Sequence, residues 1–130
     1  MQGLVDATST NFDIVIKDRY IGGILAPGVQ LSLDTLIDRA SLIPKIRLEK
    51  IKSVIGKNTN SAIRSGFYHG YSGLIDNMVK LIIKQTGKSF KIIFTGGLSH
   101  FFKNSIKGKV IINKDLTING VLKVAINHNK

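Results

Sequence analysis

Residues 3–26 read GLVDATSTNFDIVIKDRYIGGILA and contain three short runs, Gly3–Thr8, Asn11–Lys17 and Tyr20–Ala26. The runs are rich in β-branched residues, which favour strands. The clusters Ser-Thr-Asn and Lys-Asp-Arg separate the runs, and residues of these types favour tight turns. Because tight turns join neighbouring antiparallel strands, the pattern predicts an antiparallel meander of three strands.

A first helix is predicted after the meander. Pro27-Gly28 ends the third run, Ser32 is the predicted N-cap, and Asp34 falls in the first turn, where a carboxylate complements the helix dipole. Pro44 cannot continue a helix, so the helix is predicted to stop there. Apolar residues at helical spacing lie between these two ends: Leu33, Leu36, Ile37 and Ala40.

A second, longer helix is predicted after an extended stretch, Ile46–Ile51. Gly66, Gly70 and Gly73 lie within it, and each glycine costs about 1 kcal/mol relative to alanine in a helix interior. Three of them therefore predict close backbone packing against another helix or a ligand, and Gly87 is predicted to end the helix. The predicted buried face consists of Ile63, Phe67, Tyr71, Leu74, Met78 and Ile82.

In the last third of the chain, segments with the apolar spacing of strands alternate with segments that have the spacing of helices. The predicted elements are a buried strand Phe90–Phe94, a turn Thr95-Gly96-Gly97, a helix Leu98–Ile106, a strand Lys109–Ile112 and a helix Ile118–Asn127. Strands followed by helix-linked strands predict an α/β or α+β domain with a mixed sheet, formed by residues 1–130 as one unit. The order of elements is that of the ribonuclease H-like half of an actin-like fold.

Composition limits the classes of protein that this chain can belong to. It has 130 residues and no cysteine, which excludes disulfides, thiolate metal sites and cysteine nucleophiles. Its apolar runs are shorter than the roughly 20 residues of a membrane span, and no signal peptide is recognisable, so the expected compartment is the cytoplasm. The net charge of +11 can favour polyanions. The lysines are spread along the chain, however, and nucleic-acid binding is not the favoured interpretation.

Two segments have the chemistry of a phosphate or nucleotide site. In Leu4–Thr10, the carboxylate of Asp6 is followed by hydroxyl residues, which can hold a cation and bind phosphate oxygens. Thr95-Gly96-Gly97 follows an apolar strand, and its glycines would let a flat ligand approach the backbone at the sheet edge. Taken alone, each segment also fits an ordinary turn.

The chain lacks the residues that other common mechanisms require. Neither a P-loop nor a dinucleotide-binding Gly-x-Gly-x-x-Gly is present. His69, His100 and His128 are too widely spaced to form a typical ligand set, so they are interpreted as solvated or core histidines. Ser99-His100 lacks the Gly-x-Ser-x-Gly elbow of a serine nucleophile.

Four segments together resemble the type III pantothenate kinases, in the order and close to the spacing of that family. The resemblance extends over nearly all of the chain, and Arg39 and Leu42–Pro44 also fall at family positions. The segments are Val5–Asp13, Tyr20–Gly28 with Ser32, Ile55–Thr59 with Ala62 and Ser65-Gly66, and Thr95–Leu98.

The resemblance implies the C-terminal half of such a kinase, one ribonuclease H-like domain of the actin-like ATPase fold. Asp6 matches the aspartate that binds a monovalent cation, K⁺ or NH₄⁺, and Thr8 matches the threonine that contacts the ATP phosphates. Thr95-Gly96-Gly97 matches the second ATP-binding loop. Thr59 matches the threonine that contacts pantothenate across a dimer interface, so a homodimer is implied.

The implied reaction transfers the γ-phosphate of ATP to the 4′-hydroxyl of pantothenate, with Mg²⁺ neutralising charge. In the family, the general-base aspartate lies in an N-terminal half, so no catalytic residue is expected in this chain. The phosphate motif also departs from the family pattern, because Asp6-Ala7-Thr8 is one residue shorter and has alanine for glycine. Activity is therefore expected only with a complementary N-terminal half, which a separate gene could encode.

Two other interpretations stay open from the sequence. The chain could be a non-catalytic remnant that dimerises through the helix carrying Gly66, Gly70 and Gly73. A basic nucleic-acid-binding module is the third interpretation, and only the net charge suggests it.

Overall fold

The computed structural model describes residues 9–40 and 45–113, together with the backbone of residues 122–126. Two helices and five strands lie within these ranges. In chain order they are β1 Ser9–Ile16, β2 Arg19–Pro27, α1 Val29–Arg39, α2 Thr59–Thr86, β3 Phe90–Phe94, β4 Val110–Ile112 and β5 Leu122–Ile126.

The strands form one five-stranded sheet in the order β2-β1-β5-β3-β4. Strand β1 lies between antiparallel β2 and parallel β5, and β3 lies between antiparallel β5 and parallel β4. The predicted mixed sheet is therefore confirmed, in a small α/β arrangement.

Strands β1 and β2 form a tight hairpin. Lys17 and Asp18 form its two-residue turn with φ of 52° and 61°, the geometry whose twist matches that of the flanking strands. This confirms two of the three predicted strands, Asn11–Lys17 and Tyr20–Ala26, while the predicted strand Gly3–Thr8 lies outside the described residues. Across the hairpin, desolvation and then the neighbouring Asp13 carboxylate raise the pKa of the Tyr20 hydroxyl above its ordinary value.

A single core joins the sheet to α2. Phe12 at its centre is 0% exposed, and burying a side chain of this kind stabilises the fold by roughly 1.5–3 kcal/mol. The buried core residues are Phe12, Ile14, Val29, Ile75, Val79, Ile82, Ile92, Phe94, Phe102 and Ile106.

Helix α1 begins earlier than predicted. Gly28 is its N-cap, and the Ser32 backbone N–H already donates to the Gly28 carbonyl at 3.0 Å. The prediction of Ser32 as N-cap is therefore wrong, because its hydroxyl instead hydrogen-bonds the Tyr71 hydroxyl at 3.0 Å and ties α1 to α2. The helix ends at Arg39, and the predicted stop at Pro44 lies outside the described residues.

Helix α2 is 28 residues long and is capped at both ends. The Asn58 side chain accepts from the Ser61 backbone N–H at 2.9 Å, and the Ser61 hydroxyl accepts from the Asn58 N–H at 3.2 Å, which completes a capping box. At the other end Gly87 adopts φ 67°. The predicted termination at Gly87 is confirmed, since this left-handed conformation favours glycine.

The face of α2 that packs on the sheet is rotated from the predicted one. The most buried residues are Ser65, Ile75, Val79 and Ile82, so only Ile82 of the predicted face is fully buried. Leu74 and Met78 lie at the border of the core. The rotation is possible because apolar side chains cover a wide arc of this helix, and periodicity alone does not choose the centre of that arc.

The three glycines of α2 lie on an open face. A Cβ atom added at Gly66, Gly70 or Gly73 would meet nothing within 4 Å, and all three residues are exposed. Within the part of the chain that the structure describes, no other element packs closely against these glycines, and packing against a ligand or a second copy stays a prediction.

Two predicted helices after β3 are wrong. Leu98–Ile106 forms successive turns in place of a regular helix, with bonds that span three residues, as from Phe101 N–H to Leu98 O at 3.1 Å, or four, as from Phe102 N–H to Leu98 O at 3.3 Å. The segment predicted as Ile118–Asn127 instead contributes strand β5, Leu122–Ile126, in which Leu, Val and Ile alternate with other residues as in a strand. The predicted strand at Lys109–Ile112 is confirmed as β4.

The segment before α2, residues 45–58, is irregular but anchored. Ile46 is buried, Arg64 forms a 2.8 Å ion pair with Glu49, and the Ser65 hydroxyl donates to the Val54 carbonyl. Within the described ranges, none of the helices has the length and apolar character needed to cross a bilayer.

Replacing Asn58 with alanine is expected to lower the free energy of unfolding by about 1 kcal/mol, because α2 loses its N-terminal cap. Urea denaturation measures this difference. Asn60→Ala is the matched control: Asn60 is exposed in the first turn, and the better helix propensity of alanine makes a neutral or slightly stabilising result the expectation. Equal stability of the two variants would contradict the capping role.

Candidate functional site

A cavity of about 70 Å³ lies where β1 begins, β3 ends and the turns after β3 pass over the sheet. Helices α1 and α2 contribute one apolar residue each to its wall. It is lined by Ser9, Thr10, Asn11, Val29, Ile75, Phe94, Thr95, Leu98, Ser99 and Phe102.

Two buried side-chain atoms among the lining residues have no hydrogen-bond partner in the described structure. They are Asn11 Oδ1 and Thr95 Oγ1, and both are buried. Two further hydroxyls of the lining are engaged, since Ser99 donates to the Gly96 carbonyl at 2.8 Å and Thr10 donates to the Pro27 carbonyl at 3.1 Å. Buried polar groups are normally paired, so the two exceptions indicate where a ligand or water can bind.

The turn Thr95-Gly96-Gly97 directly follows β3, as predicted. Gly96 has φ 103°, a conformation that side chains rarely adopt, so glycine is required for this turn. A Cβ at Gly97 would meet nothing within 4 Å, which leaves room for a ligand beside the backbone. The turn therefore has both a structural reason for its glycines and an open face.

The two segments predicted to bind nucleotide approach one cavity. Asp6 and Thr8 lie outside the described residues, but Ser9, which follows Thr8 in the chain, lines the cavity together with Thr95. None of the ten lining residues is acidic. This cavity offers hydrogen-bonding atoms on an apolar wall, and no carboxylate that could act as a general base.

Thr59 lies far from this cavity within one chain. It is the first residue of α2, whereas the cavity touches α2 at Ile75. The 16 intervening helical steps correspond to about 24 Å along the axis. The structure therefore does not bring Thr59 together with Thr95-Gly96-Gly97.

Gly56 fixes the position of Thr59. A Cβ at residue 56 would lie 2.6 Å from the Ser61 carbonyl carbon and closer still to the backbone of Ala62. The chain therefore passes directly against the first turn of α2, which only a glycine allows. Lys57 N–H then donates to the Ser61 hydroxyl at 3.0 Å, and Thr59 is held exposed at the helix start.

Neither a second cavity nor the described histidines form a site of this kind. A cavity of about 230 Å³ lies between β2 and the end of α2, but Thr86 beside it already donates to the Ile82 carbonyl at 2.8 Å. Within the described residues, no group of three His, Cys, Asp or Glu could hold a metal ion. His69 is half-buried and His100 exposed, while His128 lies outside the described residues.

Sequence reasoning missed Asn11. It was given no functional role at the start of the predicted strand Asn11–Lys17, whereas it lines the cavity and is only 7% exposed. Its position directly before the fully buried Phe12 was the available signal, because a polar residue in a buried strand needs a partner.

The chain is similar to known proteins over most of its length. The sequence model of the family described as Type III pantothenate kinase matches residues 4–81. A curated type III pantothenate kinase from Pelagibacter ubique is 63% identical over 116 residues, which are 89% of this chain and 47% of the relative. Those from Rhodospirillum rubrum and Jannaschia sp. are 40% and 42% identical, covering 88% and 95% of this chain and 45% and 48% of the relatives. The chain thus spans about half the length of the curated relatives it matches.

Proposed function

Since the chain belongs to the type III pantothenate kinase family, we propose that it is the C-terminal half of an enzyme that phosphorylates pantothenate with ATP. The product would be 4′-phosphopantothenate, in the first step of coenzyme A biosynthesis. The observation that carries this proposal is the 63% identity to a curated type III pantothenate kinase.

The domain would be a ribonuclease H-like half of the actin-like ATPase fold, which binds nucleotide between two halves. The β1–β2 hairpin and the mixed sheet support this assignment. The ATP phosphates would meet Thr8, with K⁺ or NH₄⁺ held by Asp6, and the nucleotide would lie along Thr95-Gly96-Gly97. Mg²⁺ bound with ATP would neutralise the charge that develops during phosphoryl transfer.

The general base would come from the N-terminal half. Two Asp-Arg pairs occur in this chain, but Ile16 and Leu36 stand where the family's base motif has glycine. Asp18 lies in the exposed β1–β2 turn and Asp38 on the exposed side of α1, so neither lines the cavity. The role left to this chain is to bind and orient the nucleotide, which is a large part of catalysis in phosphoryl transfer.

Pantothenate would bind beside Thr59 of a second copy of the chain. The separation of about 24 Å along α2 between Thr59 and Ile75 supports this arrangement, because one copy does not bring Thr59 next to its own nucleotide-binding turn. The exposed glycines of α2 would let a second helix approach closely. The working enzyme would thus be a cytoplasmic dimer.

Mixing this chain with the N-terminal half of the Pelagibacter ubique relative is expected to give ATP-dependent phosphorylation of pantothenate, with neither part active alone. Transfer of radioactive phosphate to pantothenate measures the activity. Thr59→Val should reduce activity at least ten-fold through the KM for pantothenate, because the proposed contact with pantothenate would lose its hydroxyl. Asn60→Ala, one residue away, is the control. An inactive mixture of two folded halves would reject the proposed function.

The open face at Gly66, Gly70 and Gly73 also supports a second candidate, a non-catalytic remnant that only dimerises. Calorimetry with ATP, Mg²⁺ and K⁺ separates the two. If the chain is a dimer and the addition of these ligands releases no heat, the chain would be the remnant. The nucleic-acid-binding module remains a third prediction, and it requires that the affinity for any DNA falls steeply with salt concentration.

A further inference from the structure

The cavity at the start of β1 and the end of β3 contains two side-chain atoms whose ligand partners the nucleotide-binding proposal does not specify. Asn11 is more than nine-tenths buried, and its Oδ1 has no hydrogen-bond partner within the described residues. The Thr95 Oγ1 atom is also buried without a partner, on a residue that is half-buried as a whole, and both residues line the cavity. We infer that Asn11 and Thr95 form a hydroxyl-binding site that selects the ligand by its hydroxyl groups; the inference rests on the proposed function.

The unpaired atoms determine which chemical group can satisfy them. An amide Oδ1 only accepts hydrogen bonds, so its partner must bring an N–H or O–H. A fully ionised phosphate brings acceptors and cannot satisfy it. Thr95 Oγ1 can both donate and accept, and a hydroxyl can do the same, so one or two ligand hydroxyls complement this pair.

The size of the cavity restricts what enters it. At about 70 Å³, it holds several water molecules but is far smaller than the roughly 300–1,000 Å³ of a pocket that encloses a whole small molecule. Only one edge of a ligand therefore enters. Within the proposed function, that edge is either the ribose diol of the nucleotide or the hydroxyls of pantothenate.

The surrounding wall strengthens these hydrogen bonds. Val29, Ile75 and Phe94 are buried and apolar, and a hydrogen bond in such surroundings is less weakened by competing water. The same wall disfavours a charged group, because the cavity provides no opposite charge to compensate it. Loss of either hydrogen bond should therefore weaken binding measurably.

Isothermal titration calorimetry on the full chain tests this with Mg²⁺–ATP, Mg²⁺–2′,3′-dideoxy-ATP and pantothenate. If the ribose enters, Asn11→Leu and Thr95→Val each weaken ATP binding about ten-fold, and wild type discriminates against dideoxy-ATP by a similar factor that the variants lose. If pantothenate enters, the same variants weaken pantothenate binding alone. Thr95→Ser, which keeps the hydroxyl, should retain most of the wild-type affinity.

Ser105→Ala is the matched control. Ser105 Oγ is also buried without a partner in the described structure, but Ser105 does not line the cavity, so its loss should leave the affinities for both ligands unchanged. Wild-type affinity in folded Asn11→Leu and Thr95→Val, for every ligand that wild type binds, would overturn the inference alone. A wild-type chain that binds neither ATP nor pantothenate would overturn the proposed function and this inference with it.

Discussion

Gly56→Ala is expected to lower the free energy of unfolding by about 3 kcal/mol, at the upper end of what overpacking usually costs. The added Cβ would lie 2.6 Å from the Ser61 carbonyl carbon and against the backbone of Ala62. Backbone atoms of a capped helix cannot move aside as a flexible side chain can. Either the segment leading to α2 or the first turn of α2 must shift, and urea denaturation measures the loss.

The same substitution should also reduce pantothenate phosphorylation in the reconstituted mixture. Thr59 lies three residues after Gly56, and a displaced helix start would raise the KM for pantothenate by ten-fold or more. Gly66→Ala is the control for stability, since its Cβ meets nothing within 4 Å and alanine favours a helix by about 1 kcal/mol over glycine. If both alanine variants gained stability, the close approach at Gly56 would be refuted.

Phe12→Ala is expected to lower the free energy of unfolding by about 3–5 kcal/mol, through lost burial and the cavity that remains. Phe12 is 0% exposed and packs at the centre of the single core. That loss is a large part of the 5–15 kcal/mol that typically stabilises a domain. Thermal unfolding followed by circular dichroism measures it.

Leu25→Ala is the matched control on the neighbouring strand. Leu25 is paired with Asn11 in the hairpin register, yet its side chain is 73% exposed. Its truncation should change stability by no more than about 0.5 kcal/mol. A loss of stability at Leu25 comparable with that at Phe12 would mean that the Leu25 side chain is buried in solution.

Elements that end in turn-forming or helix-capping residues could be predicted from the sequence. The β1–β2 hairpin has its turn cluster at Lys17-Asp18-Arg19, and α2 ends at a glycine in the left-handed conformation. These signals are local, because a turn or a cap involves residues that are neighbours in the chain. The motif Thr95-Gly96-Gly97 was recognisable for the same reason.

Features that depend on distant residues could not be predicted. Leu122–Ile126 was expected to be helical, but it lies between β1 and β3, and that place in the sheet is set by partners more than 25 residues away. The centre of the buried face of α2 and the burial of Asn11 likewise depend on what packs above them. For the candidate site, the glycine turn was visible in the sequence, whereas the cavity and its unpaired acceptor were not.

Among the described strands, β2 forms one border of the sheet and pairs with β1 alone. Ile21 and Leu25 on this border are 52% and 73% exposed, and an open apolar border is a template for strand addition by another molecule. The net charge of +11 repels approaching copies, and added salt screens that repulsion. Ionic strength therefore controls the colloidal stability of the purified chain, and concentrated stocks will stay clear longest in dilute buffer.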